Sequence, residues 1–164
     1  LHVRSRRQRQ MCIRDSIYTL AGDPHNTQPH LRGNIIGDTF GSPDGLWFDR
    51  RGILWTQTDI STSALGVGPY AKLPNNAMYA SNPATKEFRR FMIGPKGCEI
   101  TGIDMTPDLK TMFINIQHPG ESPSERSDPA KPKAVSSWPD KDKFTRPRSA
   151  TIAIWRSDGK KVGD

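Results

Sequence analysis

The stretch Asp44–Asp59 reads DGLWFDRRGILWTQTD and contains two short apolar segments separated by a turn. Residues 44–49 and 53–59 are rich in the aromatic, aliphatic and β-branched side chains that strands favour, and a basic, glycine-containing turn interrupts them. Two further strands are predicted after a loop, at 76–81 and 88–93, joined by a turn that opens with an Asn-Pro pair. The sequence therefore predicts a four-stranded antiparallel meander.

The same order begins again near residue 101. The pattern predicts a strand, a turn, a strand, a polar insertion and a third strand at 101–106, 107–110, 111–117, about 119–147 and 150–156. Gly102 takes the position in this second unit that Gly45 has in the first. Successive meanders with one internal order are typical of propeller blades, whereas a β-sandwich does not require the repetition. We therefore predict an all-β fold: a partial β-propeller of about two blades, each a four-stranded antiparallel meander, with long inserted loops.

Composition agrees with that fold class. Only 34% of the 164 residues are hydrophobic, and 14 Gly and 14 Pro suit short strands joined by turns better than long helices. No apolar run approaches the length of about 18 residues that spans a membrane. Because a propeller closes with about four to eight blades, we expect residues 17–164 to be the C-terminal part of a larger propeller domain.

The first 16 residues differ from the rest. They hold five arginines and one aspartate, so more than half of the net charge of +7 lies there. Their hydrophobic residues follow no regular spacing, and they lack the apolar core of a signal peptide. They also resemble translated adapter sequence at the ends of genes predicted from metagenomes. We interpret them as a non-native segment; a disordered basic arm and a nucleic-acid-binding arm are the alternatives. The remaining charges are mixed, so we expect no nucleic-acid partner and no membrane partner.

Three acidic residues lie at predicted strand ends, where a propeller places its functional face. Glu99 stands beside an apolar strand, and a carboxylate there needs a cation, hydrogen-bond donors or a proton. An ion pair with a nearby Lys or Arg meets that need equally well. Asp44 is either a turn residue or a ligand for a hard cation such as Ca²⁺, and Asp59 is either solvated or a ligand. Cys98, beside Glu99, is the cysteine that remains outside the first 16 residues, so no disulfide is predicted within 17–164.

Two further groups lie at the ends of the long insertion. His118 and Glu121 follow a strand and are able to bind a metal or relay protons, although a bend at the intervening Pro-Gly pair is the simpler interpretation. Arg148 precedes the last predicted strand; an arginine there can bind phosphate bidentately, though most such arginines are merely solvated. The chain has no glycine-rich phosphate loop, nucleophile elbow or paired-cysteine zinc pattern.

Seven segments in order resemble PhoX-type alkaline phosphatases, over about residues 17–164. They are GNIIGD at 33–38, SPDGLWFD at 42–49, LWTQTD at 54–59, NNAMY at 75–79, GPKGCEITG at 94–102, FINIQHPGE at 113–121 and RPRSAT at 146–151. The ordered set is more specific than any one motif.

The resemblance implies a metal-dependent phosphomonoester hydrolase, a β-propeller that uses calcium and iron. On the resemblance, Glu99 maps to a metal-binding glutamate, and Asp44, Asp59, His118 and Glu121 lie in neighbouring motifs as further metal candidates. Arg148 is the candidate catalytic contact to phosphate. Hard cations held by carboxylates neutralise phosphoryl oxygens and generate an oxygen nucleophile near neutral pH.

The resemblance also sets expectations for the whole protein. Family members are typically bacterial and exported, so we expect a periplasmic or extracellular location and a monomeric full-length protein. The family's N-terminal motifs, with a cysteine and further acidic ligands, have no counterpart here, so we expect the chain to be inactive by itself. The alternatives are a non-catalytic propeller that binds a partner and holds structural calcium, and a calcium-dependent lactonase, because the segment Pro43–Gly45 is similar to a strand start in those propellers as well.

Overall fold

The computed structural model describes residues 17–122, 128–140 and 146–164, which form two β-sheets. The strands are β1 Ile36–Gly37, β2 Pro43–Phe48, β3 Leu54–Thr58, β4 Ala77–Asn82, β5 Glu87–Ile93, β6 Glu99–Met105, β7 Thr111–Gln117 and β8 Ala150–Trp155. The two helices in these ranges are single 3₁₀ turns, Pro29–Leu31 and Gly68–Tyr70, and neither approaches the length of a membrane span. The predicted all-β class is confirmed. The interpretation of residues 1–16 lies outside the described residues.

The first sheet contains the predicted four-stranded meander and one additional strand. Its order is β1-β5-β4-β3-β2, and β2 to β5 pair antiparallel in sequence order. The sequence predicts only an irregular connection before residue 41, but the structure places β1 parallel to β5, with Ile36 opposite Glu87. A strand of two residues has no periodicity to detect, so sequence patterning misses it.

The second sheet is an antiparallel meander of order β6-β7-β8. In the described ranges it has three strands, so the prediction of four holds only for the first meander. The bounds of β7 match the prediction, whereas β6 begins two residues earlier than predicted. Its extra residues, Glu99 and Ile100, pair with Gln117 and Ile116, and Glu99 therefore lies inside the strand.

A glycine marks the same irregularity in both meanders. The register between β2 and β3 shifts around Gly45, and that between β6 and β7 shifts at Gly102. Gly102 has a φ of +58°, and a Cβ there would lie 2.5 Å from Asn115 Nδ2. A Cβ at Gly45 would collide with Gln57 Oε1, and Gln57 Nε2 donates to the Gly102 carbonyl at 2.9 Å. The sequence correspondence of the two glycines therefore reflects paired β-bulges, one per sheet.

The two sheets pack face to face through β6, which contacts β2, β3 and β4. The buried cluster between them consists of Trp55, Met78, Cys98, Ile100, Met112, Ile114, Ile116 and Val162. In a second buried cluster, Ile35 and Phe40 from the segment before β2 pack with side chains of β3, β4 and β5 in the first sheet. These two sheets are consistent with neighbouring blades of a partial propeller, in which β2 and β6 are the equivalent first strands.

The buried side chain of Asp49 holds the β2–β3 turn together through hydrogen bonds. Its side chain is fully buried and accepts hydrogen bonds from Arg51 Nη2 at 2.6 Å, Arg51 N at 2.8 Å, Trp55 Nε1 at 3.2 Å and Ile53 N at 3.2 Å. Burial alone would raise the pKa of this carboxyl, but the hydrogen bonds from Arg51 and Trp55 outweigh burial and lower it. The turn is thus fixed by a paired, fully satisfied buried charge.

Candidate active site

Glu99 is the buried member of a group of acidic side chains. Its side chain is only 12% exposed at the first position of β6. Its pKa is raised first by burial and then by the negative charges of Asp59 and Asp44, while His118 opposes the shift. Asp44 in β2 and Asp59 at the end of β3 thus lie within electrostatic reach of Glu99 in β6. Such a group favours the binding of a cation, because a cation removes the repulsion among its carboxylates.

His118 connects Glu99 to the insertion. Its Nε2 lies 3.7 Å from Glu99 Oε2 and its Nδ1 lies 3.4 Å from Glu121 Oε2. Nδ1 is also 3.2 Å from the carbonyl oxygen of Gly97, which can only accept a hydrogen bond. Nε2 is the nitrogen directed to Glu99.

The backbone at His118 is held in an uncommon conformation. Its φ is +37°, and its N–H donates to Ser149 Oγ at 3.0 Å. A non-glycine residue with positive φ costs of order 1–3 kcal/mol and persists only where its surroundings impose it. Ser42, two residues before Asp44, has the same feature with a φ of 48°. Of the four described non-glycine residues with positive φ, His118 is itself a predicted ligand and Ser42 precedes one, whereas Lys86 and Leu109 lie in turns between strands.

Two glycines allow the His118 loop to approach Glu99. Gly97 has a φ of +68°, and a Cβ there would collide with the carbonyl oxygen of Glu121. The N–H of Gly120 donates to the Lys96 carbonyl at 2.8 Å. The turn before β6 and the loop after β7 are thus in backbone contact, which places the imidazole beside the carboxylate.

Asn76 fixes the segment of Asp59 relative to that of Glu99. Its side chain is buried; Oδ1 accepts from Ile60 N at 2.7 Å and Thr58 Oγ1 at 3.0 Å, and Nδ2 donates to the carbonyls of Ile60 and Cys98, each at 3.0 Å. Asp59 lies between two of these partners and Glu99 follows the third. One amide therefore sets the spacing of the two carboxylates. The NNAMY motif includes Asn76, but the sequence does not indicate this role.

Ser42 links Asp59 to the start of β2. Its carbonyl accepts the N–H of Asp59 at 3.0 Å, and its hydroxyl is 3.0 Å from Tyr70 Oη. Tyr70 also packs on Gly41, where a Cβ would collide with the ring. The loop between β3 and β4 thus supports the turn that presents Asp44. Neither Tyr70 nor this link is evident from the sequence.

The guanidinium of Arg148 is paired with Asp140. Its Nε donates to Asp140 Oδ2 at 2.8 Å and its Nη2 to Asp140 Oδ1 at 3.3 Å, so a carboxylate occupies the guanidinium fork. Its N–H also contacts the Trp138 carbonyl at 3.4 Å. These contacts fix the end of the insertion. The assignment of Arg148 as the phosphate contact stays a prediction.

The donor chemistry of the acidic group fits hard cations. Carboxylates suit Ca²⁺, and carboxylates with an imidazole suit iron. The geometry is incomplete, however: among the described residues no three His, Cys, Asp or Glu side chains converge as one metal site requires. The metal assignments of Glu99, Asp44, Asp59, His118 and Glu121 therefore also stay predictions. Cys98 is fully buried in the cluster between the two sheets, and burial raises the pKa of its thiol to about 12.

Fold and site together define a partial β-propeller with an acidic centre where its first strands begin. The family model for alkaline phosphatase PhoX matches residues 2–120, and the chain belongs to the PhoX alkaline phosphatase family. It is similar to the solved structure of Pseudomonas fluorescens PhoX in complex with vanadate, a transition state analogue, with 43% identity and a TM-score of 0.75. That similarity covers 89% of this chain and 24% of the Pseudomonas chain, so this chain spans about a quarter of its length. No curated protein sequence matches this chain.

Proposed function

We propose that this chain supplies part of the metal-binding centre of a phosphomonoester hydrolase of the alkaline phosphatase type. The observation that carries the proposal is Glu99, a buried carboxylate whose charge is opposed by Asp59 and Asp44 and accompanied by His118. A site that concentrates uncompensated negative charge binds cations, not a phosphate dianion directly. Family membership and the vanadate complex of the Pseudomonas protein support phosphate ester as the substrate class.

Glu99, Asp59 and Asp44 are the residues that would hold calcium or iron, with His118 and Glu121 at the edge of the site. When bound, such ions neutralise the phosphoryl oxygens and lower the pKa of an attacking water. Glu99 retains a proton to higher pH than an ordinary glutamate, and a cation would replace that proton. His118 Nε2 faces Glu99 and is placed to accept a proton at the edge of the centre.

The remaining expectations follow from the family. Calcium and iron as cofactors, a phosphomonoester substrate, an exported location and a monomeric full-length protein are part of the proposal. We further propose that the chain by itself hydrolyses no phosphomonoester, because its described acidic residues do not form a complete three-ligand site.

Metal binding by the chain tests the site without requiring catalysis. Terbium luminescence, with calcium as competitor, should show binding that Glu99→Gln weakens by at least about tenfold. Glu87→Gln is the matched control, because Glu87 is a carboxylate of β5 that pairs with exposed Arg89. Equal affinities for the Glu99→Gln variant and the unaltered chain would overturn the site assignment.

Activity tests the rest of the proposal in a full-length protein that contains this chain. Hydrolysis of p-nitrophenyl phosphate should be abolished by chelator and by Glu99→Gln and retained in Glu87→Gln. If metal raises the melting temperature but no phosphoester is hydrolysed, the non-catalytic calcium-stabilised alternative is correct.

A further inference from the structure

A cavity of about 870 Å³ opens beside the acidic centre, between the His118 loop and the insertion. His118 and Glu121 form the end nearest Glu99, and Lys131 and Arg146 lie elsewhere on its lining. Ligand pockets typically measure about 300–1,000 Å³, so this volume accommodates far more than one phosphate group.

The walls of the cavity are partly rigid and apolar. Pro119, Pro132, Val135 and Pro147 line it, and Pro119 is buried. A Cβ added at Gly120 would lie 3.1 Å from the Pro147 ring and 3.2 Å from Ser136, so the walls meet closely there. The Arg148–Asp140 pair and the bond from Arg148 N to Trp138 hold the two sides of the insertion together. The cavity is thus a built feature, with apolar surface able to contact carbon atoms.

The described lining of the cavity carries two carboxylates, Glu121 and Asp128, and two cations, Lys131 and Arg146. The Glu121 carboxylate lies against His118, and Asp128 Oδ1 accepts the N–H of Ala130 at 2.8 Å. In the described ranges, by contrast, no ion pair or side-chain hydrogen bond engages Lys131 or Arg146. Among the described residues of the lining, the charged side chains without any partner are therefore Lys131 and Arg146, and both are positive.

We propose that this cavity is a leaving-group subsite, in which Lys131 and Arg146 bind a second anionic group on the alcohol portion of the phosphomonoester. The inference rests on the proposed function, because it takes the phosphoryl group to lie at the Glu99 centre. The part of the substrate beyond the ester oxygen then extends past His118 into the cavity. A cavity that combines apolar walls with two unpaired cations suits a phosphate or carboxylate attached through a carbon chain.

Two hydrolysis-resistant ligands that differ only in the distal group test the proposal. 6-Phosphonohexanoate carries a carboxylate at the far end and hexylphosphonate does not. Calorimetric titration of the chain with calcium in 0.15 M salt should give about tenfold tighter binding of the carboxylate, the amount that two exposed charge-assisted contacts supply together. Lys131→Gln with Arg146→Gln should remove this preference.

Matched variants separate the subsite from general charge effects and from misfolding. Lys110→Gln with Arg50→Gln removes the same two charges from exposed turns outside the cavity and should keep the preference. Lys131→Arg with Arg146→Lys retains the charges and should restore most of it. If the control pair loses the preference equally, or if the unaltered chain binds both ligands alike or neither, the subsite is refuted.

The same titrations distinguish failure of the subsite from failure of the proposed function. Glu99→Gln acts at the phosphonate end, so it should weaken both ligands by the same factor and leave the preference intact. A chain in which Glu99→Gln weakens neither ligand, while the Lys131 and Arg146 changes still abolish the preference, has the anionic subsite but not the proposed metal centre.

Discussion

Replacing Asn76 with alanine should destabilise the chain and loosen the site together. The substitution removes four hydrogen bonds from a side chain whose residue is 1% exposed. Thr58 Oγ1 keeps a partner, because it also lies 3.3 Å from the Ala77 carbonyl. The buried N–H of Ile60 keeps none, and two carbonyls lose a donor.

The expected loss of stability follows from those groups. A buried donor left unsatisfied costs about 1–3 kcal/mol, and the two carbonyls and the small cavity add to that, so we expect a loss of about 3 kcal/mol. Asn76→Asp should cost at least as much, since its carboxylate would face the carbonyls of Ile60 and Cys98 that the amide now donates to.

Urea unfolding followed by tryptophan fluorescence measures this loss, and terbium titration in the absence of urea measures the site. Asn82→Ala is the matched control: Asn82 is the exposed last residue of β4, and its side chain accepts one hydrogen bond, from Ala84 N at 2.9 Å. The control should lose about 1 kcal/mol or less and keep its terbium affinity. If Asn76→Ala costs no more than Asn82→Ala, the assignment of Asn76 as the residue that sets the spacing of the carboxylates is refuted.

Three further predictions concern the scaffold. Asp49→Asn should cost about 3 kcal/mol at pH 7, the lower end for breaking a buried ion pair, because the Arg51 side chain is 21% exposed. Since the pKa of Asp49 is lowered in the folded chain, its contribution is present above the ordinary aspartate pKa of 3.8 and is lost as the pH falls through the folded value. The difference in urea midpoint between the chain and Asp49→Asn should therefore shrink below that pH, and a constant difference would contradict the ion pair. Gly102→Ala should destabilise by about 1–2 kcal/mol more than Gly159→Ala in thermal unfolding, because both have positive φ but only Gly102 has a neighbour in the way of a Cβ; equal losses would argue against the bulge packing. The buried Cys98 thiol, with a pKa of about 12, should resist Ellman's reagent until the chain is unfolded. Peptide mapping separates it from the cysteine in the first 16 residues, and labelling of Cys98 in the native chain would contradict its burial.

The strands could be predicted from the sequence because their signals are local. Thr111–Gln117 alternates buried and exposed side chains along its length, and its bounds agree with the prediction. The start of β6 could not be placed in the same way. Gly97 indicates a turn, and the pairing of Glu99 with Gln117 depends on the partner strand. The two bulge glycines were visible as a repeat, but their physical cause, contact with Gln57 and Asn115, needs the structure.

The proximity of two candidate residues follows from strand pairing in the same way. Glu99 and Gln117 are opposite each other in an antiparallel strand pair, so the next residue, His118, has to lie near Glu99. Glu99 and His118 are both candidate site residues from the sequence. The role of Asn76 is not evident from the sequence, because it comes from hydrogen bonds to residues 16 to 22 positions away along the chain. Arg148 was chosen for its position before β8, yet the local fold gives its guanidinium to Asp140.

The parallel pairing of β1 with β5 determines where this unit can be divided. A piece cut at the first meander strand, residue 43, would look like a whole repeat, yet it would omit Ile36, Gly37 and the buried side chains of Ile35 and Phe40. The rim of the sheet would then expose Phe88 and the unpaired backbone of β5. Exchange of blades between relatives, by recombination or by design, therefore has to carry residues 17–42 with the meander, so the exchangeable module is longer than the visible repeat and begins before it.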